Sequence, residues 1–409
     1  MDARADMLET LASRTPGFSL PQALYNDPAF FELDLQELFA KRWLFVAAEC
    51  EIAQPGHYVT VTVGRTPIVV LRDRAGIVRA FFNTCRHRGS VICRQERGRA
   101  SNLVCPYHSW TYDLTGALLR TGNMDPDFNA ADFPLRPVHV EVVEGTIYIC
   151  MADTPPDFAP FRAALAPMLA PHKLARAKLV LEQNVVAKGN WKLVMENSRE
   201  CYHCVSCHPS LMRSFLSDES NDSEAQRRLV AEYHARCEAI GLSCARHSGP
   251  DFHVWRLPFI DGAVSITDDG KPAVDKLLSD TPHGDIGSLR WVSYPTTFNH
   301  ALGDYAFLVR MLPIGPEETL MTGKWLINAD AEQGRDYDLE RLKKVWWVTN
   351  EEDKELVERN QAGVNSYGYR PGPYAPVLER GVLKFADWYC DYMTTTLAGP
   401  RQVRRMAAE

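Results

Sequence analysis

The chain has no run of 18 apolar residues, the length a helix needs to cross the hydrocarbon core of a membrane. Its longest comparable stretch, Thr146 to Ala152, is strand-sized. Met1 to Thr15 carries charges of both signs and no apolar centre, so no secretory signal is read there and the expectation is a cytoplasmic protein. A positive excess is missing too: 45 Lys and Arg face 52 Asp and Glu, a formal charge of −7. That excludes, as a default, a nucleic-acid or anionic-membrane partner, because such surfaces reward clustered positive charge. Internal repeats, low-complexity segments and a dinucleotide- or flavin-binding glycine motif are also absent. What remains is ordinary globular composition, 45 % hydrophobic and 24 % charged over 409 residues. That length predicts two to three domains at about 150 residues each. It also allows a core that needs neither disulfide nor metal to fold.

The hydrophobic pattern divides the chain. Residues 1–41 read as an N-terminal segment with a short amphipathic helix around Leu35, Leu38 and Phe39, packing on the later domain. Between 42 and 155 the texture is all β: Tyr58 to Val63 alternates β-branched residues, Ile68 to Leu71 follows a short turn, and Asp73-Arg74-Ala75-Gly76 reads as a hairpin loop into Ile77 to Phe82. Asp153-Thr154-Pro155-Pro156-Asp157 punctuates the chain and predicts a domain boundary. Residues 156–409 mix helix and strand. A helix is predicted from Asn190-Trp191, strands at Tyr305 to Leu312 and Leu320 to Ile327, and a long helix from Asp338 through Glu358. The fold class expected is α+β, an all-β domain followed by a mixed domain with an antiparallel sheet and helices.

Eleven cysteines are present, and six fall in two groups: Cys85, Cys93 and Cys105, then Cys201, Cys204 and Cys207. In a chain expected to keep its thiols reduced, such clustering points to metal before disulfides. Cys85-Arg86-His87 is followed, with seventeen residues between, by Cys105-Pro106-Tyr107-His108. Two loops, each offering one thiolate and one imidazole, can close on a single site. Tetrahedral zinc takes the same residue types. The Cys-His, Cys-His order between strands resembles instead the Rieske [2Fe–2S] site, where two thiolates hold one iron and two imidazoles the other. Cys93, Cys50, Cys150 and Cys390 read as packed thiols.

The second constellation lies in the segment opened by Asn190-Trp191-Lys192. On one continuous helix Glu196, Glu200 and His203 would share a face, and His208 follows five residues on, before Pro209. Two imidazoles and one distant carboxylate form the facial triad of non-haem Fe(II), which leaves positions open for O₂. Cys201, Cys204 and Cys207, three apart, are expected as a packed helical stripe rather than a second cluster.

Together the two motifs resemble the catalytic alpha subunits of the Rieske non-haem iron oxygenases. The string Asn197-Ser198-Arg199-Glu200-Cys201-Tyr202-His203-Cys204 looks like the branch that demethylates glycine betaine or proline betaine (stachydrine). The family carries a bridging Asp three residues before the first iron His; here that position is Glu200. The resemblance implies a [2Fe–2S] cluster on Cys85, His87, Cys105 and His108, and mononuclear Fe(II) on His203, His208 and a late-helix carboxylate. For that carboxylate it selects Asp353, with Glu352 as the alternative. It implies O₂ as co-substrate, electrons from NAD(P)H through a separate flavin and iron–sulfur reductase, and a homotrimer in which Glu200 links His203 to His108 of a neighbouring subunit. The reaction implied is hydroxylation of an N-methyl group with release of formaldehyde. A quaternary ammonium has no N–H to donate, so its recognition falls to aromatic faces. Trp255, Phe298, Phe307 and Tyr202 are the substrate-binding candidates, with Tyr367 and Tyr369 behind them. An aromatic-ring dioxygenase, a non-catalytic Rieske electron carrier and a zinc module are the alternatives.

Overall fold

In the computed structural model, which describes residues 2–217, 223–260 and 262–406, the chain forms two antiparallel seven-stranded sheets and a small three-stranded one. The first sheet orders its strands Leu44–Ala48, Thr146–Cys150, Pro137–Val143, Val78–Phe82, Thr66–Arg72, His57–Val63 and Arg97–Arg99. The small sheet, Leu103–Val104, Thr111–Tyr112 and Leu118–Arg120, sits beside it. The alternation read at residues 58–63 belongs to the strand next to the edge, where Val59, Val61 and Val63 are buried. The hairpin loop after Arg72 closes through the Asp73 carboxylate, which accepts from the N–H groups of Ala75 and Ile77, both at 2.9 Å.

The second sheet runs Ala177–Ala187, Glu318–Asn328, Tyr305–Gly315, Thr297–Ala301, Ser288–Ser293, Phe252–Leu257 and His247–Ser248. Period-two alternation gives it two different faces. Leu289, Trp291, Ala306, Leu308 and Leu326 pack on Phe161 and Leu165 of the helix Ala159–Leu169, together with Phe45 and Tyr148 of the first sheet. The loop at residues 153–157 therefore divides the sequence without dividing the core, and Trp291 donates across it to the Tyr148 hydroxyl at 3.1 Å. The opposite face carries a row in direct register, Trp255, Arg290, His300, Phe307 and Trp325, contributed by five successive strands. The helix Leu339–Val364, capped by the Asp338 side chain, lies on that side and buries Leu342, Val345 and Trp346.

The N-terminal segment is more helical than the sequence suggested. The helix Pro28–Leu33 runs into a π-helical turn, Asp34–Phe39, which turns Asp34 inward. Asp34 and Lys192 are fully buried and paired, and Asp34 also accepts from Trp191 Nε1 at 3.0 Å and the Tyr389 hydroxyl at 2.8 Å. This network ties the N-terminal segment to the helix Trp191–Asn197 and to the C-terminal helix Arg380–Met406. Removing one partner of such a buried pair leaves an uncompensated charge, at a cost of about 3–5 kcal/mol. Among the described residues no helix is long and apolar enough to cross a membrane.

Candidate active site

The cluster motif folds as two matching loops. In each, the cysteine carbonyl accepts from the N–H four residues on, Gly89 and Ser109, and both of those residues have positive φ. In each, the cysteine N–H donates to the carbonyl five residues on, Ser90 and Trp110. These tight turns bury Cys85 and Cys105 while leaving His87 and His108 exposed at the tip. The two imidazoles approach with ring centroids 4.7 Å apart, and His87 stacks on the buried Trp110 at 4.8 Å. The Tyr112 hydroxyl lies 3.4 Å from Cys85 Sγ and accepts from the Arg86 N–H at 3.0 Å. Hydrogen bonding at a ligand sulfur is one of the levers on the potential of an iron–sulfur cluster. Two inward thiols and two outward imidazoles are the donor set a Rieske cluster requires. Cys93 is buried beneath the loops, as expected of a packed thiol.

The single helix expected from Asn190 to His203 does not form. The Asn190 side chain caps the helix start by accepting from the Lys192 N–H at 3.0 Å, but the helix ends at Asn197. Turns follow, then a four-residue helix, Cys204–Cys207, with His208 just beyond it and out of helical geometry. Glu196 and Glu200 consequently do not share a face. Glu196 is buried and accepts from the Tyr25 hydroxyl at 2.8 Å, whereas the Glu200 carboxylate folds back on the turn to accept from the Tyr202 N–H and from His203 Nδ1. The cysteine stripe is also corrected: Cys201 and Cys204 are joined in a disulfide, and only Cys207 of the three is free. The turn at 198–203 sets their Cα atoms 4.9 Å apart, within disulfide reach.

From this segment and the helix Leu339–Val364 three donor atoms converge. His203 Nε2 and His208 Nε2 are 3.0 Å apart, His208 Nε2 is 3.0 Å from Asp353 Oδ1, and His203 Nε2 is 3.4 Å from the same oxygen. The remaining imidazole nitrogens are each held by a carboxylate. Glu200 takes His203 Nδ1, and Glu352 takes His208 Nδ1 at 2.7 Å. Glu352, the alternative third ligand in the sequence reading, thus faces the far side of His208 rather than the point of convergence. Burial opposes charge on His203, but Asp353 and Glu200 outweigh it and push the imidazole up to about 10. Burial likewise opposes ionisation of Asp353, and the two imidazoles reverse that and lower it. Such mutual stabilisation is what a cation-binding donor set shows when its donors face one another. Cys204 Sγ lies 4.0 Å from His203 Nε2 but is bonded to Cys201. The fit to a 2-His-1-carboxylate iron is good: two imidazoles held at Nδ1 whose Nε2 atoms face the point where a metal would displace any proton, one carboxylate, and an open side.

The open side faces a cavity of about 420 Å³ whose floor is formed by Trp255, Arg290, His300 and Phe307 of the sheet row described above. Trp255, Phe298 and Phe307 line it, as do His203, His208 and Asp353. Tyr202 does not reach it; its side chain is 59 % exposed. Tyr367 is fully exposed and Tyr369 bonds the Leu20 carbonyl, so neither enters. Trp346, which sequence reasoning did not single out for this role, stacks on Phe307 at 4.7 Å and lies 4.6 Å from His300. It stands seven residues before Asp353, two turns along the same helix, a spacing that could have been read once Asp353 was placed.

Residues 42–140 match the Rieske [2Fe-2S] domain family and residues 174–395 the ring hydroxylating alpha subunit (catalytic domain) family. The chain belongs to the Rieske oxygenase alpha subunits. It is therefore a non-haem iron oxygenase with a [2Fe–2S] domain and a mononuclear-iron catalytic domain, in a family typically supplied with electrons by a reductase. It is 45 % identical over 402 residues to the glycine betaine monooxygenase oxygenase subunit of Chromohalobacter salexigens, covering 97 % of this chain and 90 % of that one. Its identity to the protein of the same name from Pseudomonas aeruginosa PA14 is 42 %, covering 97 % and 93 %. Among solved structures, a quaternary ammonium Rieske monooxygenase in complex with L-carnitine superposes with a TM-score of 0.71 at 22 % identity, covering 94 % of this chain and 98 % of that one. A naphthalene 1,2-dioxygenase from Rhodococcus sp. superposes at 0.69 and 19 % identity, covering 97 % and 98 %. These two likenesses establish the shared fold.

Proposed function

We propose that this chain is the oxygenase subunit of a quaternary-ammonium N-demethylase whose substrate is glycine betaine or a close N-methylated amino acid. In this reading Cys85, Cys105, His87 and His108 hold the cluster, and His203, His208 and Asp353 hold the iron. Once bound, the two groups supply stepwise electron delivery and O₂ activation. The observation that carries the reading is the aromatic-floored cavity open to His203, His208 and Asp353, in a chain close to two proteins named for glycine betaine.

The chain's own residues then have separable tasks. Glu200 and Glu352 fix the Nδ1–H protons of the two iron-site imidazoles, so both Nε2 lone pairs point into the site. The aromatic floor holds an N-methyl group against the open side and excludes water. Hydroxylation of one N-methyl of the quaternary ammonium gives a hemiaminal that collapses to formaldehyde and the tertiary amine. Electrons come from NAD(P)H through a separate reductase, which fits a cytoplasmic enzyme. In a homotrimer the exposed His108 of one subunit meets Glu200 beside the partially exposed iron site of the next, and Glu200 accepts from both imidazoles.

The test is formaldehyde release by the reconstituted enzyme on glycine betaine, stachydrine, carnitine, choline and simple arenes. Stoichiometric formaldehyde from a betaine, coupled to O₂ uptake, is expected. Oxidation of arenes without formaldehyde from any betaine would replace this reading with the ring-dioxygenase one.

A further inference from the structure

Three of the aromatic residues expected to receive the quaternary ammonium line the cavity, but two of them already face a cation of the protein. The Arg199 guanidinium lies 6.0 Å from the Trp255 ring centre and 5.4 Å from that of Phe298. These rings are near-parallel, with 18° between their planes and centroids 6.3 Å apart. A second cation placed on the same faces would meet a like charge, which disfavours it. The quaternary ammonium is left the other aromatic surface of the same cavity, Phe307 stacked with Trp346, on the helix that carries Asp353.

The guanidinium itself is incompletely satisfied. No carboxylate pairs with Arg199 among the described residues; the Tyr294 hydroxyl is its polar neighbour, and its Nε is buried without a hydrogen-bond acceptor. A guanidinium seated over aromatic faces keeps its edge N–H groups free for a planar acceptor. Its surroundings are also cationic: Lys384 lines the same cavity, and His253, lowered to about 4 by burial and then by Arg199 and Lys384, stays neutral there. The cavity's own carboxylates, Glu200 and Asp353, are both engaged by the iron-site imidazoles.

We propose that Arg199 is the anchor for the substrate carboxylate, held in place by Trp255 and Phe298, while Phe307 and Trp346 receive the trimethylammonium. This rests on the betaine reading above. It divides the pocket by charge, and it explains why a cavity for a cationic head should itself carry arginine. A zwitterion is accepted, whereas a quaternary amine ending in a hydroxyl, ester or amide leaves the Arg199 donors without an anionic partner.

The experiment measures binding and turnover by the holoenzyme, its cluster and iron verified, for glycine betaine, its methyl ester and choline. Wild type should bind glycine betaine on the order of a hundredfold more tightly than either uncharged-end analogue, the usual scale for losing one partner of a partly buried charged pair. Arg199→Gln should raise KM for glycine betaine by a similar factor and erase the preference, and Arg199→Lys should restore part of it. Failure of wild type to release formaldehyde from any betaine would sink the functional reading itself. Formaldehyde release from glycine betaine with the methyl ester bound equally well would overturn the Arg199 assignment alone, even if no variant can be prepared. So would an iron-replete Arg199→Gln that keeps the wild-type KM and preference, or one that weakens all three ligands equally.

Discussion

Two pairs of histidines on one chain are treated in opposite ways. His87 and His108 stand exposed on tight turns, backed by Trp110 and Tyr107, and among the described residues neither hydrogen-bonds a carboxylate. His203 and His208 are set back from the surface, and each has its Nδ1 clasped by a glutamate. The difference follows from what each pair must do. An electron-relay imidazole gains from an uncovered edge that a neighbouring subunit can approach. An imidazole holding a labile iron gains from a fixed tautomer and greater basicity. In the homotrimer proposed above, Glu200 is where the two designs would meet, because it holds an iron-site imidazole from a position with partial access to the surface.

The sharpest way to break the comparison is to remove an iron-facing donor. Asp353→Ala or His208→Ala should abolish mononuclear iron and turnover while the reduced cluster keeps its EPR signal, as metal analysis and spectroscopy would show. Concurrent loss of the cluster would mean that the two sites are not independent. A smaller effect is expected from Glu352→Gln, which leaves all three donors in place but loosens His208. Iron affinity or activity should fall by about 10–100-fold, and complete iron loss equal to that of Asp353→Ala would return Glu352 to the ligand set. The smallest effect concerns Glu196, the carboxylate of the same segment that faces away from the iron. Burial raises it from 4.5 to about 7, so the native state holds a proton that the unfolded chain releases in that window. Its contribution is fully present below about 4.5 and is lost as pH rises through about 7. Glu196→Gln should therefore match wild-type stability at pH 5 and exceed it at pH 8 by up to about 3 kcal/mol. Equal denaturation midpoints at pH 8 would show that Glu196 is not buried as an acid.

Much of the cluster site was legible because its signal is local. Each Cys-His loop closes within six residues, and the turn hydrogen bonds that bury sulfur and expose imidazole are made inside the motif. The strands at 57–63 and 305–315 and the helix after Asp338 were legible from periodicity. The iron segment was legible only in its residue types. Its start at Asn190 was read, but its break after Asn197 goes with one distant contact and one local one. The Arg199 carbonyl sits so close to Gly381 that a Cβ there would approach it to 2.1 Å, and the Glu200 carboxylate folds back on the N–H groups that a continuing helix would have turned inward. The Cys201–Cys204 disulfide and the exclusion of Tyr202 from the cavity both follow from that break, so neither could be anticipated from a helical spacing. Trp346 and Arg199 were missed for a related reason. The spacing of Trp346 from Asp353 becomes readable only once Asp353 is placed, and the role proposed for Arg199 depends on a turn, which has no sequence period.

The electron path through Glu200 is tested most directly by single-turnover oxidation of the pre-reduced cluster in Glu200→Gln, with O₂ and glycine betaine present and iron content matched to wild type. A glutamine amide cannot accept from two imidazoles as a carboxylate does, and it places a donor where an acceptor is needed. The variant should keep both metals and its oligomer, yet its cluster should stay reduced long after the wild-type cluster has reoxidised. Equal reoxidation rates in the two proteins would contradict it and leave Glu200 only the task of orienting His203.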